Sequence, residues 1–198
     1  MSMETTFHGL EFLTAPGRVF TPRATTEALV DAALKRIGDD PVRIADVGTG
    51  TGAIGVSIAV AAPQAEVWAT DTNENAVELA RVNAKRLGVA DRVHVVHGNL
   101  LEPLPEPLDV VVANPPYLPL ATRDLPEHAE LRGEPEDAVY APGDGVGPLQ
   151  ELLELCAAGK LKMPGFVLVQ FHRRVLEADC QHLHHLGERI DAQARAAA

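Results

Sequence analysis

A short run near the middle of the chain combines an amide, two prolines and a tyrosine. Asn114-Pro115-Pro116-Tyr117 follows the apolar run 108–113, which predicts a buried strand. Prolines cannot donate to a strand ladder, so the chain must turn outward after this run. Asn114 offers a carbonyl acceptor, and Tyr117 offers a flat aromatic face. A rigid turn that holds both suits a planar, NH-bearing group; the alternative is a proline-rich loop with a capping asparagine.

A glycine-rich turn lies between a predicted strand, residues 42–47, and a predicted helix, residues 53–62. Glycines at such a turn permit a tight bend and let a ligand approach the backbone. The next predicted strand is closed by Asp71, where a carboxylate can accept hydrogen bonds from ribose hydroxyls. These features predict a site for a nucleoside-containing cofactor. Its candidate residues are Asp46, Gly48, Thr49, Gly50, Thr51, Gly52 and Asp71.

The turn also fits the dinucleotide fingerprint, with Ala53 in place of the third glycine. Two features argue against a dinucleotide. Asp46 lies two residues before the first glycine, where a carboxylate repels a pyrophosphate but suits a cationic ligand. Hydride transfer also has no evident use for the motif at Asn114. The residues therefore favour a cationic nucleoside cofactor such as a sulfonium.

Strands and helices alternate from residue 42 onward, which predicts an α/β fold with a parallel sheet and helices on both faces. Further strands are expected over 66–70, 92–97, 108–113 and 165–170, and further helices over 24–37, 73–87, 149–156 and 175–186. We also expect an N-terminal hairpin that turns at Pro16-Gly17, a cap for the first helix at Thr21-Pro22, no clear element over 118–147, and a sixth strand or a tail over 189–194.

The length of 198 residues suits one domain, with a hairpin and helix over 1–38, a core over 42–170 and a shortened segment over 171–198. A formal charge of −11 opposes non-specific binding to nucleic acid. Cys156 and Cys180 lack metal or redox spacing, so we expect reduced thiols. Without a leader or a membrane-length apolar run, the chain is expected to be cytoplasmic and not in a membrane.

A group of four histidines lies near the C-terminus, at the end of a predicted helix or just before it. They lack a matching set of carboxylate or cysteine ligands, so we expect a solvated helix end and no metal site. The four are His172, His182, His184 and His185.

These motifs resemble class I S-adenosylmethionine methyltransferases, and more closely the HemK/PrmC group of protein-glutamine methyltransferases. The resemblance covers about residues 7–170 and implies a Rossmann-like, doubly wound, mostly parallel sheet with a shortened C-terminal edge. Four stretches carry it: 19–27, 46–55, 71–84 and 114–117. Glu134-Pro135 with Gly143-Asp144-Gly145 is a looser match. Adenine and some guanine methyltransferases share similar Asn-Pro-Pro-Tyr motifs, but the first stretch and the Glu-Pro loop favour the glutamine group.

The resemblance implies an enzyme that transfers a methyl group from S-adenosylmethionine to the side-chain amide of a protein glutamine, as in a release factor. The implied catalytic residues are Asn114, Pro115, Pro116 and Tyr117. The carbonyls of Asn114 and Pro115 would accept the two protons of the substrate NH2 group, and Tyr117 would stack on it. Asn99, Leu100 and Asn114 join the cofactor contacts named above. Arg23 and Thr26 are expected to shape the pocket, and Glu134 and Asp144 to order the loop.

The chain departs from this family in three places. The catalytic segment starts near residue 7, so the preceding helical domain is expected to be absent. Some eukaryotic and archaeal relatives also lack it, and the eukaryotic type uses a small zinc-binding partner, so an activating partner subunit is among the expectations. Asn99 stands where the family usually has Asp, which keeps an acceptor but loses the charge. The tail after Leu186 is short, which predicts an incomplete sheet edge. The alternatives are a nucleic-acid N-methyltransferase and a non-catalytic module that binds the cofactor or a partner.

Overall fold

The computed structural model describes residues 3–172, 174–179 and 181–197. Its strands are β1 (Met3–Phe7), β2 (Leu10–Thr14), β3 (Val42–Val47), β4 (Ala65–Asp71), β5 (Val93–His97), β6 (Leu108–Ala113), β7 (Leu118–Pro119), β8 (Tyr140–Ala141), β9 (Leu161–Phe171) and β10 (Arg174–Asp179). Its α-helices are α1 (Glu27–Arg36), α2 (Ala53–Ala61), α3 (Glu74–Arg86), α4 (Glu136–Val139), α5 (Gly147–Leu155) and α6 (Leu183–Ala197).

The central sheet has six strands in the order β10-β9-β6-β3-β4-β5. All neighbours are parallel except β10, which pairs antiparallel with β9 at the edge. The order reverses at β3, so consecutive strands add first to one side and later to the other. This is the doubly wound, mostly parallel α/β sheet that the alternating pattern predicted, and the fold class is confirmed.

Both faces of the sheet are buried because successive side chains of a strand point to opposite faces. In β6, Val110 and Val112 pack in the cluster that holds α1, α2 and α3, whereas Val111 and Ala113 pack in the cluster that holds α5 and α6. A strand covered on both faces needs a continuous apolar run, and this explains why residues 108–113 were recognisable as a strand.

The predicted N-terminal hairpin is present, but its turn was predicted at the wrong place. Strands β1 and β2 pair around His8-Gly9, where both residues have positive φ angles of 50° and 74°, and not around Pro16-Gly17. Asn83 of α3 anchors this hairpin through two hydrogen bonds to the backbone of β2. The fully buried Asn83 amide accepts from the Leu13 N–H at 2.9 Å and donates to the Leu13 carbonyl at 3.0 Å.

The first helix begins later than its predicted cap. A 3-10 turn covers Ala24–Thr26, and α1 then begins at Glu27, so the Thr21-Pro22 pair lies outside the helix. The Thr21 N–H donates instead to a carboxylate oxygen of Glu134 at 3.0 Å. The chain over 20–23 is therefore held by a distant loop and not by a helix cap.

Residues 118–147 are more ordered than the sequence indicated. They contain β7, β8, α4 and 3-10 turns over Leu120–Thr122 and Pro126–Leu131. Each piece is six residues long or shorter, too short to show a hydrophobic period.

The C-terminal prediction was wrong in two respects. The expected helix over 175–186 is replaced by β10 and, after a turn, by α6, and the expected strand or tail over 189–194 is part of α6. Arg174–Asp179 forms a strand because each of its residues pairs with β9, from Phe171 to Phe166. The sheet edge on this side is therefore one antiparallel strand.

The remaining expectations concern the two cysteines, membrane-spanning helices and the division into domains. Cys156 is buried directly after α5, and Cys180 lies outside the described residues. Among the helices that the structure describes, none has the length and apolarity needed to cross a membrane. The division into one domain of three segments stays a prediction.

Candidate active site at two adjoining cavities

The glycine turn after β3 is shaped by close packing against α3. Gly52 has a φ of 83°, and a Cβ added there would lie 3.2 Å from the Cβ of Ala80. Asn83 donates to the Thr51 carbonyl at 2.8 Å. The small residue and the amide on α3 thus hold the turn against the helix, and Gly48, Thr49, Gly50 and Thr51 line a cavity on its outer side.

Asp46 lies beneath this turn and does not line the cavity. Its side chain is 0% exposed, and one carboxylate oxygen accepts from the Thr49 hydroxyl at 2.6 Å and from the Gly55 N–H at 2.9 Å. Burial raises the pKa of Asp46 to about 6, despite the opposing effect of these two hydrogen bonds. The carboxylate predicted to face the cofactor therefore joins the turn to the start of α2.

Asp71 at the end of β4 has both carboxylate oxygens in use and still lines the cavity. One oxygen accepts from the Gly50 N–H at 2.9 Å, and the other accepts from the Asn73 N–H at 2.9 Å. Burial raises the pKa of Asp71, and the nearby Asp137 carboxylate acts in the same direction. Each oxygen keeps a second acceptor position, so this group can bind a pair of vicinal hydroxyls.

Asn99 and Leu100 close the cavity beyond the end of β5. The Leu100 carbonyl accepts from the Thr70 hydroxyl at 2.8 Å, and Leu100 has a φ of 46°. The Asn99 amide nitrogen donates to the Glu151 carboxylate at 3.2 Å. Glu151 also lines the cavity, and its place on α5 gave no sequence signal for this.

The Asn114–Tyr117 segment leaves β6 as predicted and lies between Thr26, directly before α1, and the loop that contains Gly145. The Asn114 amide nitrogen donates to the Thr26 hydroxyl at 3.4 Å, which leaves its carbonyl oxygen for another partner. On the other side Gly145 has a φ of 87°, and an added Cβ would overlap the Tyr117 carbonyl oxygen. Thr26 and Gly145 thus position the segment from opposite ends.

Two cavities meet at this segment. The first cavity is lined mainly by residues 47–51, 70–73, 98–100 and 114–116, and the second cavity mainly by residues 23–26, 117–118, 127–131 and 138–139, with Gln170 and His172. The two share a wall, and its residues are Phe20, Thr26, Asn114, Pro115 and Ala138. Asn114 and Pro115 therefore lie where a group held in the second cavity would approach a group held in the first.

The second cavity joins segments that are far apart in sequence. The Tyr117 hydroxyl donates to the His172 carbonyl at 2.9 Å, and the Tyr117 ring packs on Phe171 and His172 with centroid distances of 5.5 Å. On the opposite side the Arg23 guanidinium lies 3.7 Å from the Glu134 carboxylate. These contacts hold the ring of Tyr117 on one side of the cavity and the chain between Glu127 and Glu134 on the other.

His172 was expected on or before a helix, but it lies in the turn between β9 and β10 and lines the second cavity. Its φ of 54° is a conformation in which glycine is the usual residue. Burial, and then the nearby His128, lower the pKa of His172. The other three histidines lie at the start of α6 or just before it, where His182 contacts the Asp179 carboxylate at 2.7 Å.

Most of the predicted site residues lie together in the structure. The first cavity contains Gly48, Thr49, Gly50, Thr51, Asp71, Asn99, Leu100, Asn114, Pro115 and Pro116, and the second contains Asn114, Pro115, Tyr117, Arg23 and Thr26. Asp46 and Gly52 lie behind the turn instead. Among the other predicted loop residues, Glu134 contacts Arg23, whereas Asp144 accepts from the Val146 N–H at 3.3 Å within its own loop.

Comparison with known proteins decides the family. A family model described as "Methyltransferase small domain" matches residues 10–124, more than half of the chain. The chain belongs to this methyltransferase family. The family that the motifs predicted is thereby confirmed.

Curated relatives of this methyltransferase carry a more specific name. The chain is 42% identical over 169 residues to the "Release factor glutamine methyltransferase" of Moorella thermoacetica, which covers 83% of this chain and 58% of that protein. It is 41% identical over 158 residues to the protein of the same name from Deinococcus radiodurans, covering 79% and 55%. The methyltransferase thus spans little more than half the length of these relatives.

Solved structures show the same fold. A ribosomal protein L11 methylase from Lactobacillus delbrueckii subsp. bulgaricus matches with a TM-score of 0.56 at 22% identity, over 91% of this chain and 73% of that one. A precorrin 8w decarboxylase from Methanobacterium thermoautotrophicum matches with a TM-score of 0.55 at 25% identity, over 80% and 68%.

Methyltransferases of this class use S-adenosylmethionine, and the first cavity fits it. The Asp71 carboxylate suits the ribose hydroxyls, and Gly48 has no atom within 4 Å of where its side chain would be. The chemistry of the donors and acceptors therefore agrees with the predicted cofactor.

Proposed function

We propose that this chain is an S-adenosylmethionine-dependent N-methyltransferase that acts on the side-chain amide of a protein glutamine, with a release factor as its substrate. The observation that supports this most is the shared wall: Asn114 and Pro115 line both cavities. Two carbonyl acceptors thus stand where a cofactor in the first cavity and an acceptor in the second would meet.

Positioning is the main contribution that these residues would make. Bound S-adenosylmethionine would supply an electrophilic methyl group. The Asn114 side-chain carbonyl and the Pro115 backbone carbonyl would each accept one proton of the NH2 group. Holding both protons orients the nitrogen lone pair toward the first cavity, and such orientation can contribute several kcal/mol to catalysis.

Thr26 and Tyr117 would support this arrangement from either side. Because the Thr26 hydroxyl accepts from the Asn114 amide nitrogen, it fixes which end of the amide faces the substrate. Tyr117 is held by its hydrogen bond to the His172 carbonyl, so its ring can pack on a planar amide without first losing rotational freedom.

The charge of the second cavity favours a protein acceptor over a nucleic acid. Glu127 and Glu130 line it, and the guanidinium of Arg23 already lies near Glu130 and Glu134. With a formal charge of −11 over the chain, little positive charge is left to neutralise phosphates. The names of the curated relatives point to the same class of acceptor.

The proposal includes a cytoplasmic location, where release factors act, and a small activating partner. Turnover by the purified chain alone at a rate above a few per minute would remove the partner from the proposal, since typical enzymes turn over at about 1–10³ per second.

The test is a methyl-transfer assay with labelled cofactor and, in parallel, purified bacterial release factors, ribosomal RNA and DNA as acceptors. We expect label on the release factor, and peptide mass spectrometry should locate it on a glutamine. Label on nucleic acid alone would replace this function with exocyclic-amine methylation. Cofactor binding by calorimetry without label on any acceptor, both alone and with added cell extract as a source of the activating partner, would support a non-catalytic binding module.

A further inference from the structure

Gln170 has a buried side-chain carbonyl oxygen that the fold does not use. Its residue is 3% exposed, and its side-chain carbonyl oxygen has no hydrogen-bond partner within residues 3–172, 174–179 and 181–197. Buried polar atoms in folded proteins are almost always paired, because an unpaired one loses its hydration without compensation. An unpaired oxygen in this position therefore requires an explanation.

The position of Gln170 in the sheet supplies one. Strands β6 and β9 run parallel with Ala113 opposite Val169, so Asn114, directly after β6, lies level with Gln170, the residue before the last of β9. Both residues line the second cavity. The carboxyl ends of parallel strands are where such sheets bind ligands. Two side-chain amides thus stand side by side, one at the shared wall and one inside the second cavity.

Arg23 has a matching unpaired atom on the same cavity. One terminal nitrogen, Nη2, contacts both the Glu130 carbonyl at 3.0 Å and the Glu134 carboxylate at 3.7 Å, but the buried Nε–H has no partner in the described part of the chain. Two residues that line the second cavity therefore carry unpaired buried atoms, an acceptor on Gln170 and a donor on Arg23. A ligand that satisfies both must carry a hydrogen-bond donor and a hydrogen-bond acceptor.

A peptide group carries this pair of functions, whereas a phosphate offers acceptors only. The two protons of the reacting NH2 group are already assigned to Asn114 and Pro115, so a second amide group of the acceptor has to fill the remaining positions. Resting on the proposed function, we propose that Gln170 and Arg23 bind a backbone peptide group of the protein acceptor next to its reacting side chain. Gln170 accepts from the peptide N–H, and Arg23 Nε–H donates to the peptide carbonyl.

The test is Gln170→Met, which keeps the length of the side chain and removes its amide. Deleting an unpaired buried polar group should leave the melting temperature unchanged or raise it by a few degrees. The KM for a release factor should rise about 10-fold, since one or two neutral hydrogen bonds are lost. The Kd for S-adenosylmethionine should stay within about twofold, because Gln170 does not line the first cavity.

Ser57→Ala is the matched control. Ser57 also has a buried hydroxyl without a partner among the described residues, but it lies within α2 and lines neither cavity. Its removal should likewise keep or raise the melting temperature, and it should leave the KM for the release factor unchanged. Arg23→Lys, which keeps the positive charge but lacks Nε–H, should raise that KM as Gln170→Met does.

The outcomes separate this inference from the function on which it rests. If the wild-type chain labels a release factor but the KM of Gln170→Met is unchanged, the peptide contact is wrong and the function stands. A fall in melting temperature of several degrees, or failure to fold, would show that the Gln170 amide is structural and would also overturn it. Label on nucleic acid alone overturns both proposals.

Discussion

The two cavities are built in different ways, although they share a wall. The first cavity is formed mainly by residues that directly follow β3, β4, β5 and β6, although residues as far apart as Phe7 and Glu151 complete it. Hydrogen bonds between neighbouring strand ends, such as Gly50 to Asp71 and Thr70 to Leu100, hold this main part in shape. The second cavity is formed by segments up to about 150 residues apart, from Phe20 to His172. Side-chain contacts such as Arg23–Glu134 and Tyr117–His172 hold these segments together.

The first cavity is therefore determined by the sheet, whereas the second depends on segments and side chains outside the sheet. Any doubly wound sheet brings its strand ends to one edge, so the first cavity follows from the fold. The second cavity depends on individual side chains, and single substitutions should therefore change it while leaving the first intact. Five predictions test this separation.

Asn114→Ala should have the largest effect, because it acts at the wall that belongs to both cavities. Losing one of the two acceptors for the NH2 group should reduce the rate of methyl transfer by about 10²–10³-fold, as for other preorganised polar contacts. Cofactor affinity, measured by titration calorimetry, should change only a few-fold. A variant with wild-type transfer and wild-type binding would refute the assignment of Asn114.

Gly145→Ala should damage the second cavity selectively. The added Cβ would overlap the Tyr117 carbonyl oxygen, and the φ of 87° is itself unfavourable for alanine. We expect a loss of about 2–4 kcal/mol in the free energy of unfolding and a higher KM for the acceptor. Gly143→Ala is the control: its φ is 64°, but no atom lies within 4 Å of the new Cβ, so about 1 kcal/mol should be lost. Equal losses for the two variants would contradict the proposed close contact.

Asp46 should make the stability of the first cavity's turn depend on pH. Its pKa in the folded chain is about 6 against an ordinary value of 3.8, so the folded state binds the proton more tightly. The stability this provides is fully present below pH 3.8 and is lost as the pH rises to about 6, by about 3 kcal/mol. Urea denaturation of Asp46→Asn should show a correspondingly smaller fall between these pH values. An identical pH profile for both proteins would show that Asp46 is not the group responsible.

Asp71→Asn should affect the first cavity alone. One of the two charged acceptors for the ribose hydroxyls is lost, whereas a side-chain oxygen remains for the Gly50 or Asn73 N–H. We expect the Kd for S-adenosylmethionine to rise about 10-fold, which corresponds to about 1.4 kcal/mol. At saturating cofactor the KM for the acceptor should be that of the wild type, and a change in it would mean that the two cavities are not separable here.

Glu134→Gln should have the smallest effect. Glutamine keeps an acceptor for the Thr21 N–H but removes the ion pair with Arg23. The side chains of Glu134 and Arg23 are 11% and 30% exposed. The expected loss of unfolding free energy is about 1 kcal/mol or less, with a few-fold higher KM for the acceptor. Arg123→Met removes an exposed pair with Glu136 and should change neither quantity. Identical behaviour of the two variants would mean that the Arg23–Glu134 pair does not organise the cavity.

The first cavity is also the part of the site that the sequence predicts best. Residues 42–113 carry continuous apolar runs separated by glycine and proline, and their strands and helices were predicted within a few residues. The first cavity followed from the ends of those strands. Asp46 is the exception, because the sequence places a carboxylate near the turn without indicating which side of the turn it faces.

The second cavity could be predicted only in part. Asn114, Tyr117, Arg23 and Thr26 stood out because they belong to recognisable motifs. Gln170 and His172 did not, since a glutamine in an apolar strand and a histidine in a tight turn look like ordinary surface residues in sequence. The turn at His172 has a left-handed backbone, which glycine normally signals. Without that signal the sequence predicts a helix where the structure has the antiparallel strand β10.

The wall of Phe20, Thr26, Asn114, Pro115 and Ala138 also has a thermodynamic consequence. A ligand that shifts or stiffens these residues from one side alters the surface offered to the other. Binding free energies are reciprocal, so whatever factor the cofactor applies to acceptor affinity, the acceptor must apply to the cofactor. The demethylated cofactor and the methylated product differ from the reactants, so they would shift the residues of this wall differently. The wall that brings the two reactants together would then also influence which product leaves first.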